Sequence, residues 1–184
     1  YILTKTKFVY GWRCKKNLWL REYEKDAPEL ELDASTRDRM SQGTAVGIAA
    51  QDWFDGLEIT SGPNRQQKMV SETLDALEKG MPAIFEAAFI EDGVFVAVDV
   101  LERLDSGYRL LEVKASARNK PEHIPDLAVQ THVLRRAGLD IRQIAVMHLN
   151  PSYRKHETGD LFMITDVSDE VEAMIDEVPM LIGE

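Results

Sequence analysis

The sequence is poor in cysteine, in long apolar runs and, towards its end, in positive charge. One cysteine among 184 residues excludes a disulfide framework within the chain and points to a reducing compartment, with the cytoplasm as the expected location. No stretch approaches the ~18 consecutive apolar residues of a membrane span. Residues 1–7 lack the apolar segment of a signal peptide, so neither membrane insertion nor export is expected. P-loop, GxGxxG and GxSxG motifs are all missing, which removes the commonest nucleotide-binding and serine-hydrolase readings. His123, His132, His148 and His156 show neither HExxH nor Cys/His spacing, which argues against zinc. Without internal repeats, low-complexity tracts or long Pro/Gly/Ser-rich linkers, the chain reads as one domain over residues 1–184.

What is present is the composition of a globular protein, 44% hydrophobic and 29% charged. The net charge of −10 hides a segregation: residues 1–25 carry +5, 26–112 carry −11, 113–156 carry +5 and 157–184 carry −9. Two basic blocks that meet in the fold can line a groove for a phosphate-bearing partner, although ordinary solvated surface explains the same charges.

Periodicity over Thr6–Arg21 fits a first helix or a helical hairpin, and further helices are expected at Thr36–Phe54 and Arg65–Lys79, the last ending at Gly80. Residues 82–116 hold three Val- and Phe-rich runs separated by Asp92-Gly93 and Ser106-Gly107, the pattern of an antiparallel meander. A helix over 121–137 and a strand at Ile141–Leu149 follow, with the strand added beside the third run. Residues 166–177 read as an acidic helix or tail. The predicted fold is α/β, a mixed sheet flanked by helices.

The meander carries the chemistry. A two-residue turn at Asp92-Gly93 sets Glu86 opposite Asp99, and one at Ser106-Gly107 sets Asp99 opposite Lys114. Glu112 shares the face of Lys114. Three carboxylates and one lysine thus fall on a patch about 10 Å across, given strands ~4.8 Å apart. The apolar residues on both sides of these strands imply a sheet covered on both faces. There, unpaired charges cost several kcal/mol each. One lysine does not balance three carboxylates; a divalent cation such as Mg²⁺ or Mn²⁺, which prefers oxygen ligands, does.

The arrangement Val98-Asp99, twelve residues, then Glu112-Val113-Lys114 resembles the PD-(D/E)XK nuclease superfamily, and the restriction-endonuclease-like core of that superfamily is the fold the resemblance implies. Glu86 lies on the preceding strand, and Gln130 falls on the following helix, where RecB-like nucleases carry a glutamine. Lys5-Thr6-Lys7-Phe8, Cys14 and Leu18-Trp19-Leu20 look like the opening segment of the RecB-like and CRISPR-associated exonuclease branch. The likeness extends to the N-terminal nuclease module of larger, uncharacterised bacterial proteins and covers about residues 4–150, leaving the acidic segment 157–184 outside.

The resemblance implies a Mg²⁺- or Mn²⁺-dependent deoxyribonuclease of repair, recombination or defence, exonuclease-like or single-strand-preferring, with RNA as a further substrate class. Asp99, Glu112, the Val113 carbonyl and Glu86 would hold metal. Lys114 would hold a water or stabilise developing charge, and Gln130 would orient Lys114 or the phosphate or simply pack at the helix edge. Lys15, Lys16, Arg118, Lys120, Arg135 and Arg136 are candidate phosphate contacts. Trp12 and Trp19 read as packing residues before base-stacking platforms. The overall acidity and the missing early-helix ligand, with neither His nor Glu in Gly43-Thr44-Ala45-Val46-Gly47, favour the alternative of a catalytically inactive module that binds nucleic acid or a partner protein. Leu134 is a further departure, standing where the family often has tyrosine. Several relatives hold a 4Fe–4S cluster with one N-terminal and three C-terminal cysteines, and Cys14 matches the first. Alone it cannot hold one, so a cluster would need cysteines, or a partner domain, outside these residues, and Cys14 reads as a packed core cysteine.

Overall fold

The computed structural model describes residues 2–31, 34–154 and 159–183; His156 and residues 157–158 of the acidic segment lie outside them. The chain opens with a two-residue strand, β1 (Leu3–Thr4), which runs directly into α1 (Lys5–Arg13) and α2 (Lys15–Tyr23). Thr4 caps α1, its hydroxyl accepting the Lys7 N–H at 3.3 Å. Cys14, extended at φ −164°, breaks the helical path and makes the pair a hairpin. The expectation of a packed core cysteine is corrected here: Cys14 is exposed, because a residue at the corner of two helices has no layer beneath it.

The middle of the chain follows the predicted order. Helix α3 (Ala34–Gln51), the short strand β2 (Gly56–Glu58) and α4 (Gln66–Glu78) precede a meander of β3 (Ala83–Glu91), β4 (Val94–Arg103) and β5 (Tyr108–Lys114). Helix α5 (Ile124–Arg136), with Pro125 in its first turn, leads to β6 (Ile141–Leu149), which lies parallel to β5. Strand β7 (Phe162–Asp166) and helices α6 (Ser168–Ile175) and α7 (Val178–Gly183) complete the chain. The fold is α/β, a seven-stranded mixed sheet in the order β2-β3-β4-β5-β6-β7, with β1 beside the start of β4. Strands β1, β2 and β7 escape the sequence reading because they are two to five residues long, too short for alternation to register.

Both faces of the sheet are covered, as its doubly apolar strands require. Ile84, Leu101, Leu110, Ile144 and Val146 share one core with Leu127, Val133 and Leu134 of α5. On the reverse, Phe85, Val100, Leu111 and Ala145 pack with Val113 and Ile164 of the sheet itself and with Phe54, which follows α3. Among the described residues, no helix is long and apolar enough to cross a membrane.

The first hairpin has the predicted register, with Phe85 opposite Val100 and Ala87 opposite Val98 on either side of the Glu86–Asp99 position. The second does not. Arg103 pairs with Tyr108 and Val100 with Leu111, so the reversal is a four-residue loop, Leu104–Gly107, closed by a Leu104 N–H to Gly107 carbonyl bond of 3.0 Å. Asp99 therefore comes level with Glu112, not Lys114. A displacement of two residues leaves every side chain on its expected face, whereas a displacement of one would have inverted them.

Gly107 fixes this turn. Its φ is +74°, and a Cβ there would run into the Asp140 carbonyl oxygen and come within 2.8 Å of the Arg142 side chain. Gly93 has the same φ of +74° but open space around it. Gly93→Ala should cost about 1–2 kcal/mol, the ordinary penalty for a left-handed alanine, while Gly107→Ala should cost clearly more and broaden the unfolding transition. Urea denaturation of the two variants side by side checks this.

Candidate active site

The functional groups gather where β4 and β5 part. Their ladder ends at the Val100–Leu111 pair. Beyond it the Asp99 carboxylate takes the place of a strand carbonyl, its Oδ2 accepting the Val113 N–H at 2.7 Å. Glu112, two residues from Leu110 and so on the same face, points under α5 and is 3% exposed. Lys114 Nζ donates to Glu112 Oε1 at 2.6 Å. From α5, the fully buried Gln130 donates through Nε2 to Glu112 Oε2 at 2.8 Å. Asp99, Glu112, Lys114 and Gln130 are thus brought together as expected.

Two members of the cluster were not anticipated. Asp126 accepts from Lys114 at 3.1 Å and from Gln130 Nε2 at 3.1 Å. Lys5, the first residue of α1, reaches both Glu112 oxygens at 3.2 and 3.5 Å and lies 3.7 Å from Asp126. Each left a signal. Asp126 precedes Gln130 by four residues and so shares its helix face, but an acid in a first turn passes for a dipole partner. Lys5 is a cation where the helix dipole disfavours one, an anomaly that marks a role outside the helix. The expectation that a single lysine faces the carboxylates is corrected accordingly: two ammonium groups, Lys5 and Lys114, bridge Glu112 and Asp126.

Glu86 sits apart in its backbone. It is half-buried, with φ of +56° in the middle of β3, a left-handed conformation costing a non-glycine residue about 1–2 kcal/mol. The adjoining backbone is satisfied from α4, whose Thr73 hydroxyl accepts the Ala88 N–H at 2.9 Å. Burial raises the Glu86 pKa, Lys5 opposes the rise, and Glu112 and Glu58 add to it, so Glu86 feels the cluster electrostatically.

Burial and mutual repulsion divide the carboxyls. Loss of hydration pushes Asp99 up to about 7, reinforced by Glu112 and opposed by Lys5, Lys114 and the Val113 N–H. Burial also raises Asp126, with Glu112 adding to the effect. For Glu112, burial is outweighed by Lys5, Lys114 and the bonds from Lys114 and Gln130, so its carboxyl is held far below the usual range. Burial opposes ionisation of both lysines, yet the facing carboxylates hold Lys5 and Lys114 protonated far above their ordinary values.

Among the described residues, no three His, Cys, Asp or Glu side chains converge closely enough to hold a metal as they stand. The donor chemistry nevertheless suits a hard divalent cation. Four carboxyls face two ammonium groups, burial and then repulsion from Glu112 raise Asp99, Asp126 and Glu86, and Gln130 Oε1 is buried with no donor. A 4Fe–4S cluster does not fit these residues, since Cys14 offers one thiolate where four are needed.

The candidate phosphate contacts are largely engaged with the protein's own acids. Lys16 lies 3.7 Å from Glu29, Lys120 3.8 Å from Glu122 and Arg136 3.1 Å from Asp92, while Arg135 is paired with Glu172. Arg118 is exposed after β5. Lys15 lines a groove of about 830 Å³ with Trp12, Trp19 and Tyr23. The two tryptophans, 43% and 51% exposed, are surface residues and not the packing residues expected. The two basic blocks do meet, through α1 against α5, but the charges that converge, Lys5 and Lys114, turn inward onto carboxylates.

No protein-family model matches the sequence, and no curated protein is significantly similar to it. Among solved structures, an alkaline exonuclease from Laribacter hongkongensis superposes with a TM-score of 0.41 at 14% identity, covering 99% of this chain and 86% of that one. The protein SSO0001 superposes with a TM-score of 0.44 at 11% identity, covering 98% and 76%. At these scores the likeness carries no argument about chemistry.

A carboxyl whose folded-state pKa lies above its unfolded value of about 3.9 favours the folded protein most at low pH and progressively less as pH rises through the folded value. Asp99 should therefore lower stability between about pH 4 and 7. Asp99→Asn keeps an acceptor for the Val113 N–H and removes this titration. Metal-free Asp99→Asn should match the wild type near pH 4.5 and exceed it at pH 8. His123, held down to about 4 by burial and Lys114, works in the opposite sense but equally in both chains. Urea unfolding at the two pH values in EDTA checks the crossing.

Proposed function

We propose that this chain is a divalent-metal-dependent nuclease hydrolysing DNA phosphodiester bonds, exonuclease-like or single-strand-preferring. The observation that carries the reading is the meeting of Asp99, Glu112, Lys114 and Gln130 at the parting of β4 and β5, with an excess of carboxyl groups over cations. Asp99 and Glu112 would hold the cation, with the Val113 carbonyl and Glu86 as further oxygen donors; bound there, it supplies Lewis-acid polarisation of the phosphodiester and a more acidic water.

The chain's own groups fill the remaining roles. Lys114, kept protonated by Glu112 and Asp126, is a cation and not a base. Its task is electrostatic, an ammonium beside the negative charge that builds on the phosphoryl oxygens. Gln130 fixes Glu112 and Asp126 through one amide nitrogen, and its buried Oε1 is an acceptor still open to a water proton. A second reading, a catalytically inactive module that binds nucleic acid or a partner protein, draws on one observation: both Glu112 oxygens are already engaged by donors from the protein.

Cleavage of labelled single- and double-stranded DNA, with RNA in parallel, tests the proposal. Activity should require Mg²⁺ or Mn²⁺, vanish in EDTA, and fall by about 10²–10³-fold in Asp99→Ala, Glu112→Gln and Lys114→Ala. Undiminished cleavage in Asp99→Ala and Lys114→Ala would overturn this assignment of the site.

A further inference from the structure

We infer that Lys5 is the site's resident counter-cation: its ammonium stands on Glu112 where a divalent cation would bind, and gives way when one does. The inference rests on the metal-dependent reading above.

Glu112 is saturated. Its two oxygens offer about four lone-pair positions, and four contacts meet them: Lys5 on both oxygens, Lys114 on Oε1 and Gln130 on Oε2. A cation bound by this carboxylate has to displace one of these donors. Gln130 is fully buried and tied to Asp126 as well as to Glu112, at 3.1 and 2.8 Å. Lys114 makes the shortest contact, 2.6 Å, and also holds Asp126 at 3.1 Å. The Lys5 contacts are the longest, 3.2 and 3.5 Å to Glu112 and 3.7 Å to Asp126. Lys5 is the donor held least closely.

It also has somewhere to go. The Lys5 side chain is 19% exposed, against 27% for Lys114, so contact length and not exposure sets Lys5 apart; its flexible stem still lets the ammonium swing to water while the backbone stays in place. That backbone is pinned: Leu3 and Thr4 pair with Val94 and Phe95, and Thr4 caps α1. The position is not explained by helix stability, because a cation at a helix start is repelled by the dipole. What it does explain is how Glu112 is compensated as a buried anion before metal arrives, since an uncompensated buried charge costs several kcal/mol.

Calorimetric titration of metal-free protein with Mn²⁺ tests this. Lys5→Met, which keeps the apolar stem and removes the charge, should bind Mn²⁺ at least tenfold more tightly than the wild type, and in EDTA it should melt several degrees lower. Lys5→Arg, whose planar fork grips a carboxylate with two parallel bonds, should bind Mn²⁺ several-fold more weakly. A merely structural lysine would lower affinity in both variants. Equal or weaker binding by folded Lys5→Met, or wild-type affinity in Lys5→Arg, overturns the inference while leaving the metal site standing. Absence of Mn²⁺ binding in the wild type and both variants overturns the inference and the metal-dependent reading together.

Discussion

Glu112 lies in the middle of a seven-stranded sheet, 3% exposed and ionised. A carboxylate so placed must be given donors in return for the water it loses. It takes Lys114 from its own strand, Gln130 from the helix that crosses the sheet, and Lys5 from the first helical residue of the chain. Most of the positioning in the fold can be read from this requirement. The N-terminal strand pairs with β4 and delivers Lys5, α5 lies across the face where Glu112 points, and β4 parts from β5 so that Asp99 can meet a backbone N–H.

The electrostatic result is a cluster in which the groups are not alike. Glu112 keeps its charge because donors converge on it, while Asp99 and Asp126 are pushed towards their neutral forms by burial and by Glu112 itself. Pairs of carboxyls with values driven apart are common at reactive centres, although structural ion-pair networks produce the same division.

Much of this was legible in the sequence, for reasons that can be named. Two glycine-bearing reversals flank the strand that carries Asp99, and alternation alone decides which side chains of the neighbouring strands share its face. The four-residue loop at Leu104–Gly107 displaced the second pairing by two positions, yet the face survived because side-chain direction repeats every two residues. Gln130 was accessible through the family likeness. Lys5 belongs to the opening segment of that likeness, but its place in the cluster, like that of Asp126, was not legible, because it depends on contacts across more than a hundred residues, in the one case, and on a helix crossing, in the other. The pattern over Thr6–Arg21 admits a helical hairpin, but it does not mark Cys14 as the corner between the two helices, so its exposure was not legible.

The contributors to the cluster are spread over about two thirds of the chain, from residue 5 to residue 130, and no two neighbouring elements suffice to assemble it. Chain closures of that span are slow to form. A chain in which only β3, β4 and β5 have paired lacks both the Gln130 amide and the Lys5 side-chain ammonium that make Glu112 tolerable as an anion. Glu112 therefore gains its full set of donors only when the two ends of that span have met.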